Sequence, residues 1–126
     1  RKGEGTSYNK LFIAEEDMEI AILAMGYAEG LSQSMRDKID CLINGHRTRI
    51  IGQICMNLIV ADVTGIPAER GDEVVIIGRQ GSEQILATDI AKRTGIRHHE
   101  ILTRLGKSLP KVYLGQPNGS AIESIA

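Results

Sequence analysis

The chain has 126 residues, of which 42% are hydrophobic and 25% are charged, and this composition is sufficient for one domain with a single core. Fifteen basic and sixteen acidic residues give a formal net charge of −1, and no basic run is long enough to bind nucleic acid or an anionic membrane surface. The longest apolar stretch, around Ile20–Met25, is far shorter than the ~20 residues that span a bilayer. The sequence therefore predicts a soluble domain without nucleic-acid partners.

The two cysteines and the first residues indicate where the domain is found. Cys41 and Cys55 lie inside apolar runs, which favours buried thiols over a disulfide or a metal-ligand pair and is typical of a reducing compartment. No signal-peptide pattern or initiator Met precedes Arg1, so we expect the chain to be one piece of a longer protein.

Short Ile- and Val-rich runs between glycines predict a mostly β fold. The run at Ile20–Met25 is apolar at every position, which predicts a strand covered on both faces. Gly78–Gly81 is predicted as a turn. The predicted strands are Tyr8–Ala14, Asp17–Ala24, Lys38–Ile43, His46–Met56, Leu58–Val63, Glu73–Ile77, Glu83–Ala87, His98–Thr103 and Leu109–Leu114.

Two local signals are stronger than the rest. Asn44-Gly45 predicts a β-hairpin, because a type I′ turn needs positive φ at both central residues. A single short helix is predicted near Thr88–Arg93, with Thr88 as its N-cap and Gly95 just after its end.

Three segments have residues that can serve either structure or chemistry. Tyr8, in a small and polar setting, is either a half-buried strand residue or a functional phenol. Tyr27, between Gly26 and Gly30, either lines a pocket or belongs to a turn that needs glycines. Asn57, after an apolar run, either marks a strand exit or contributes to a site.

Together these segments resemble the C-terminal β domain of alanine racemase and of the related vancomycin-resistance-type serine racemase. The resemblance covers about residues 3 to 114. It rests on Gly5-Thr6-Ser7-Tyr8, Gly26-Tyr27-Ala28-Glu29-Gly30, Leu42-Ile43-Asn44-Gly45, Ile51-Gly52-Gln53-Ile54-Cys55-Met56-Asn57, Ala61-Asp62-Val63, Gly71-Asp72-Glu73-Val74-Val75-Ile76-Ile77-Gly78, Ile90-Ala91 and His99-Glu100-Ile101-Leu102.

The resemblance implies that residues 1–126 form one Greek-key-like β barrel with one short helix. It also implies an isomerase that uses pyridoxal 5′-phosphate to interconvert the L and D forms of alanine or serine. The barrel domain that carries the cofactor-binding lysine would lie outside this chain, and a second subunit would complete the site in a homodimer. The domain would be cytoplasmic, and serine racemases of resistance clusters have a membrane anchor elsewhere in the protein.

The resemblance assigns roles to particular residues. Tyr8 matches the tyrosine that acts as the second catalytic base. Tyr27 and Met56 match residues that line the substrate site, Asn57 lies next to them, and His99 matches a residue that reaches the cofactor phosphate. A core methionine and a surface or edge-strand histidine are the alternatives for Met56 and His99. No metal site is predicted, because His98 and His99 on a strand would point to opposite faces.

The chain departs from the family pattern at several of these positions. Asn9 follows Tyr8 where glycine is usual, and Glu29 and Asn57 each replace an aspartate. Gln33 and Gln53 stand where alanine racemases often have arginines. These amides make the approach to the site more neutral, which favours a serine-accepting racemase.

Two other functions remain as alternatives. A non-catalytic dimerisation or regulatory module with the same fold would also lose the arginines and the aspartate. A related decarboxylase domain is disfavoured, because those enzymes place their β-domain cysteine and aspartate in different surroundings.

Overall fold

The computed structural model describes residues 1–6, 10–114 and 122–124. Its helices are α1 (Ala87–Thr94) and α2 (His98–Ser108), and two 3₁₀ turns span Tyr27–Glu29 and Gln33–Met35. The strands are β1 (Gly5–Thr6), β2 (Phe12–Ile13), β3 (Ile20–Leu23), β4 (Asp40–Ile43), β5 (His46–Ile51), β6 (Ile59–Asp62), β7 (Val74–Val75), β8 (Gly78–Gln80), β9 (Glu83–Ile85), β10 (Lys111–Tyr113) and β11 (Ile122–Ser124).

A curled, antiparallel sheet with the order β3-β6-β5-β4-β7 is the centre of the fold, and the predicted mostly β class is confirmed. β1 with β2, β8 with β9, and β10 with β11 form separate antiparallel pairs. The core lies between β4, β5, β6 and the helices, where Cys41, Leu42, Ile59, Ile90 and Ile101 are buried. Burial raises the pKa of the Cys41 thiol to about 12, so this cysteine acts as a small core hydrophobe.

The hairpin predicted at Asn44-Gly45 is confirmed. Asp40 pairs with Arg49 and Ile43 with His46, so the two residues form the turn. Their φ angles are 49° and 78°, as the turn requires. The Asn44 side chain donates to Pro67 O and to Asp72 Oδ2 at 2.9 Å, which fastens the turn to the loop before β7.

The predicted helix near Thr88–Arg93 is confirmed as α1, and Gly95 follows it at φ 76°. The N-cap is Leu86 rather than Thr88, because the carboxylate of Asp89 accepts the Leu86 N–H at 2.9 Å. The Asp89 carboxylate, in the first turn of the helix, thus takes the capping role that the prediction gave to the Thr88 hydroxyl.

The prediction of a single helix and of a strand at His98–Thr103 is wrong, because His98–Ser108 is a second α-helix. Ile101 and Leu105, four residues apart, face the core while Leu102 is exposed. Glu100 and Arg104 form an ion pair of 3.2 Å at the same helical spacing. His98 and His99 are therefore in the first turn of a helix, not on an edge strand.

Two predictions about strands are also corrected. Ile20 and Ile22 of β3 are exposed, Ile22 by 69%, so only the face of Leu23 is covered. Successive side chains of a strand point to opposite faces, so Ile20 and Ile22 share the face that is not covered. Gly78–Gln80, predicted as part of a turn, forms β8 and pairs with β9, and the turn lies at Gly81-Ser82.

Candidate functional site

Two loops meet beside β6 and carry most of the predicted site residues. The first contains the 3₁₀ turn Tyr27–Glu29, and the second follows the end of β5 at Ile51 and includes Met56 and Asn57. The predicted strand His46–Met56 is therefore shorter than expected, and its last residues form the strand exit that was one alternative for this segment. Gly52 has a φ of 73°, which turns the chain out of the sheet.

Backbone hydrogen bonds join the two loops. Tyr27 N donates to Cys55 O and Ala28 N donates to Met56 O, each at 2.9 Å. A Cβ atom at Gly26 would lie 2.1 Å from Cys55 O, so only glycine allows the loops to approach so closely. The positions of Tyr27 and Met56 are therefore set by the same contact.

The side chains of Tyr27, Met56 and Asn57 form an exposed surface, here called the ledge. Tyr27 is 42% exposed and Met56 is 55% exposed, which excludes the alternative of a core methionine. Asn57 is also exposed. The sequence prediction that these residues lie together is supported by this geometry, whereas their contact with a substrate stays a prediction.

Glu29, in the 3₁₀ turn of the first loop, makes two hydrogen bonds. Its Oε2 accepts the Gly26 N–H at 2.7 Å, and its Oε1 accepts from Asn57 Nδ2 at 3.2 Å. The hydrogen bond from Gly26, and after it the one from Asn57, lower the pKa of Glu29 below its ordinary value of 4.5. In the sequence, Glu29 stands out only as a substitution in the family pattern, and nothing there shows that positions 29 and 57 meet.

Helix α2 supports the first loop. A Cβ atom at Gly30 would lie 2.8 Å from the backbone of Arg104, so the loop packs directly on the helix. His99, exposed in the first turn of α2, is about 7 Å along the helix axis from Arg104. The N-cap residue Arg97 makes no side-chain capping hydrogen bond to this turn, which also contains His98 and His99. These groups are hydrogen-bond donors or cations and fit a phosphate in their chemistry.

The remaining predicted residues either lie away from the ledge or fall outside the residues that the structure describes. Gln33 is exposed in the second 3₁₀ turn, and Gln53 is half-buried in the second loop. Tyr8 and Asn9 lie outside the described residues.

A cavity of about 620 Å³ lies between the edge strand β3 and the segment 68–76. It is lined by none of the ledge residues and not by His99. We place the candidate site at the ledge, because there the structure brings together three of the predicted site residues. Among the described residues no cluster of His, Cys, Asp or Glu could hold a metal ion, and no helix is long and apolar enough to cross a membrane.

Comparison with known proteins gives one family. The family described as "Alanine racemase, C-terminal domain" matches residues 1–113. Alanine racemase of Leptospira interrogans is 42% identical over 106 residues, which are 83% of this chain and 27% of that protein. Alanine racemase 1 of Clostridium acetobutylicum is 35% identical over 96% of this chain and 31% of its own length.

Solved structures agree with this result. Alanine racemase from Bacillus anthracis with bound L-Ala-P has a TM-score of 0.82 at 34% identity, over 97% of this chain and 31% of that chain. The Clostridium difficile 630 alanine racemase in complex with cycloserine has a TM-score of 0.84 at 28% identity, over 98% and 32% of the two chains. The chain thus spans about a third of the length of the relatives that it matches.

Proposed function

This chain belongs to the alanine racemase C-terminal domain family, and from this premise we propose that it completes the active site of an amino-acid racemase. The observation that carries the proposal is the ledge, where Tyr27 and Met56 are held outward by one pair of loops instead of being buried. A ledge of this kind suits a substrate that is bound mainly by another domain.

The partners that we propose are a barrel domain with the cofactor-binding lysine and a second subunit in a homodimer. Pyridoxal 5′-phosphate, when bound, would withdraw electrons from the substrate so that its Cα proton becomes acidic. The residues here that fit this group are the donors at the start of α2, and we propose His99 as the one that binds the phosphate. The compartment that we propose is the cytoplasm, which is consistent with the free thiols of Cys41 and Cys55.

Tyr8 is the proposed catalytic residue of this chain. Racemisation removes a proton from one face of Cα and returns a proton to the other, so it needs a base on each face. We propose that Tyr8 Oη holds or accepts the proton on one face. A free phenol titrates near ~10, so cationic or donor groups from outside this domain have to stabilise its anion.

The substrate that we propose is a small amino acid, alanine or serine. The exposed amide of Asn57 makes the ledge less charged than an aspartate would. This neutrality favours the hydroxymethyl group of serine, and the proposal is that the racemase accepts both substrates.

A domain exchange tests the proposed function. We would replace the matching C-terminal part of the Bacillus anthracis alanine racemase with this chain and measure racemisation of L-alanine and L-serine. We expect activity from the chimera, and no activity from this chain alone with pyridoxal 5′-phosphate. A Tyr8→Phe chimera is the matched control.

The result that contradicts the proposal is a chimera that is dimeric and binds the cofactor, as its absorbance shows, but racemises neither amino acid. That result would favour a non-catalytic dimerisation or regulatory module with the same fold.

A further inference from the structure

Glu29 connects the two loops of the ledge through side-chain contacts as well as backbone contacts. One of its carboxylate oxygens accepts the Gly26 N–H at 2.7 Å, and the other accepts from Asn57 Nδ2 at 3.2 Å. Gly26 and Asn57 are at opposite ends of the contact between the loops. The carboxylate therefore fixes the start of one loop relative to the end of the other.

Each of the two contacts pairs a donor with an oxygen of the carboxylate. A carboxylate offers an acceptor on each oxygen, and both of its neighbours are donors. An amide at position 29 would have one uncharged oxygen, and its NH₂ group would face the Asn57 NH₂ group unless Asn57 turned its own oxygen toward it. An aspartate at position 57 would place two carboxylates about as close as the 3.2 Å that now separates Asn57 Nδ2 from Glu29 Oε1. Glu29 and Asn57 are thus matched as acceptor and donor.

The consequence concerns the residues between these contacts. Met56 is next to Asn57 and its carbonyl accepts from Ala28, while Tyr27 lies between Gly26 and Ala28. Loss of the Glu29 contacts would leave the backbone bonds in place but would free Asn57 and the start of the 3₁₀ turn. Tyr27 and Met56 would then be held relative to each other by the backbone bonds alone, so their side chains would be less firmly positioned.

We propose that Glu29 and Asn57 form a latch that positions Tyr27 and Met56 for the small amino-acid substrate. Glu29 is a positioning residue, and Asn57 acts through its hydrogen bond to Glu29 rather than as a direct substrate ligand. This inference rests on the proposed racemase function, which it extends to the two residues that hold the ledge.

The first experiment examines the latch in this chain without any assay of activity. Hydrogen exchange of the Gly26 amide, followed by NMR, reports the hydrogen bond to Glu29. We expect faster exchange in Glu29→Gln and in Asn57→Asp than in the parent. The double variant Glu29→Gln with Asn57→Asp restores one acceptor for Gly26 and one donor–acceptor pair between the side chains, so its exchange should return toward that of the parent. Glu73→Gln, an exposed acid elsewhere on the surface, is the matched control and should change nothing.

The second experiment uses the racemase that contains this chain. Each single variant should raise KM for alanine and serine about tenfold, since one hydrogen bond to a charged group is lost, with a smaller change in kcat. The double variant should return KM to within about threefold of the parent. A residue with only a structural role would lower Tm without this selective effect on KM and without rescue.

The outcomes separate the latch from the proposed function. Unchanged Gly26 exchange in both Glu29→Gln and Asn57→Asp overturns the latch, whatever the activity. The positioning role is overturned if the single variants change the Gly26 exchange but leave KM unchanged. It is also overturned if the KM of the double variant is no better than that of the worse single variant. If the racemase that contains this chain acts on neither alanine nor serine, the proposed function is contradicted, and the positioning role is overturned with it. The hydrogen-exchange data would still show whether Glu29 and Gly26 are in contact.

Discussion

Gly26 lies against the carbonyl oxygen of Cys55 so closely that a Cβ atom at position 26 would be 2.1 Å from that oxygen. The φ of Gly26 is −151°, an extended conformation that any residue can adopt, so glycine is required here for space rather than for its backbone freedom. The neighbouring Tyr27 N–H donates to the same oxygen at 2.9 Å. The contact between the two loops therefore depends on the absence of a side chain.

Gly26→Ala is the first prediction. The added methyl group would meet backbone atoms of Cys55 and Met56 that cannot move independently, so we expect a loss of at least about 2 kcal/mol in the free energy of unfolding. Chemical denaturation measures this loss. Gly106→Ala is the control: Gly106 is inside α2 with room for a Cβ atom, and the change should stabilise the chain by about 0.5–1 kcal/mol. A neutral Gly26→Ala variant would contradict the described contact.

The hairpin turn gives the second prediction. Gly45 has a φ of 78°, a conformation that asparagine tolerates and that β-branched residues avoid. Gly45→Val should destabilise the chain by about 1–2 kcal/mol more than Gly45→Asn. Thermal unfolding of the two variants checks the difference, and equal Tm values would exclude a left-handed residue at this position.

The third prediction concerns the pH dependence that Glu29 contributes. Hydrogen bonds from Gly26 and Asn57 lower the pKa of Glu29 in the folded state below the ordinary value of 4.5. A group whose pKa is lowered by folding stabilises the fold above its unfolded pKa, and this contribution is lost as the pH falls through the folded pKa. The parent should therefore be more stable than Glu29→Gln at pH 6 to 8, and the difference should shrink below pH 4.5.

Urea denaturation of the parent and of Glu29→Gln across this pH range measures the effect. Glu73→Gln, an exposed acid outside the ledge, is the matched control for the loss of one surface charge. A Glu29→Gln difference that is independent of pH would mean that the carboxylate contributes no charge-dependent hydrogen bond.

The fourth prediction tests the corrected placement of β3. Ile22 is 69% exposed, whereas the adjacent Leu23 is in the core. Leu23→Ala should cost about 2–5 kcal/mol, and Ile22→Thr should change the stability of this chain by less than about 0.5 kcal/mol. Equal and large losses would support the original prediction that both faces are covered.

The sequence predicts the positions of turns better than it predicts which face of an apolar run is buried. Asn44-Gly45 and the end of α1 at Gly95 were predicted correctly, because positive φ values select these residue types regardless of the rest of the fold. Ile101-Leu102 was interpreted as part of a strand, since two adjacent apolar residues fit either periodicity. Leu105 lies one helical turn after Ile101 and packs on the same core, and this spacing is typical of a helix.

The site was predictable only as far as the family pattern reaches. The resemblance predicted Tyr27, Met56 and Asn57 as neighbours, and the two loops bring them together. It gave no sign of the hydrogen bond between Glu29 and Asn57, because this contact joins residues 28 positions apart at places where the chain departs from the pattern. A single sequence does not show such a pair.

The role of Tyr8 is the central claim, and exchange at the substrate Cα measures it most directly. In the racemase that contains this chain, incorporation of solvent deuterium would be followed from pure L and from pure D substrate, for the parent and for Tyr8→Phe. Removal of a positioned base costs typically ~10²–10⁴-fold, so exchange from one enantiomer should fall by about this factor while exchange from the other is much less affected. If Tyr8→Phe leaves exchange from both enantiomers within about threefold of the parent, a loss far below that of a positioned base, Tyr8 is not the base and the account is wrong.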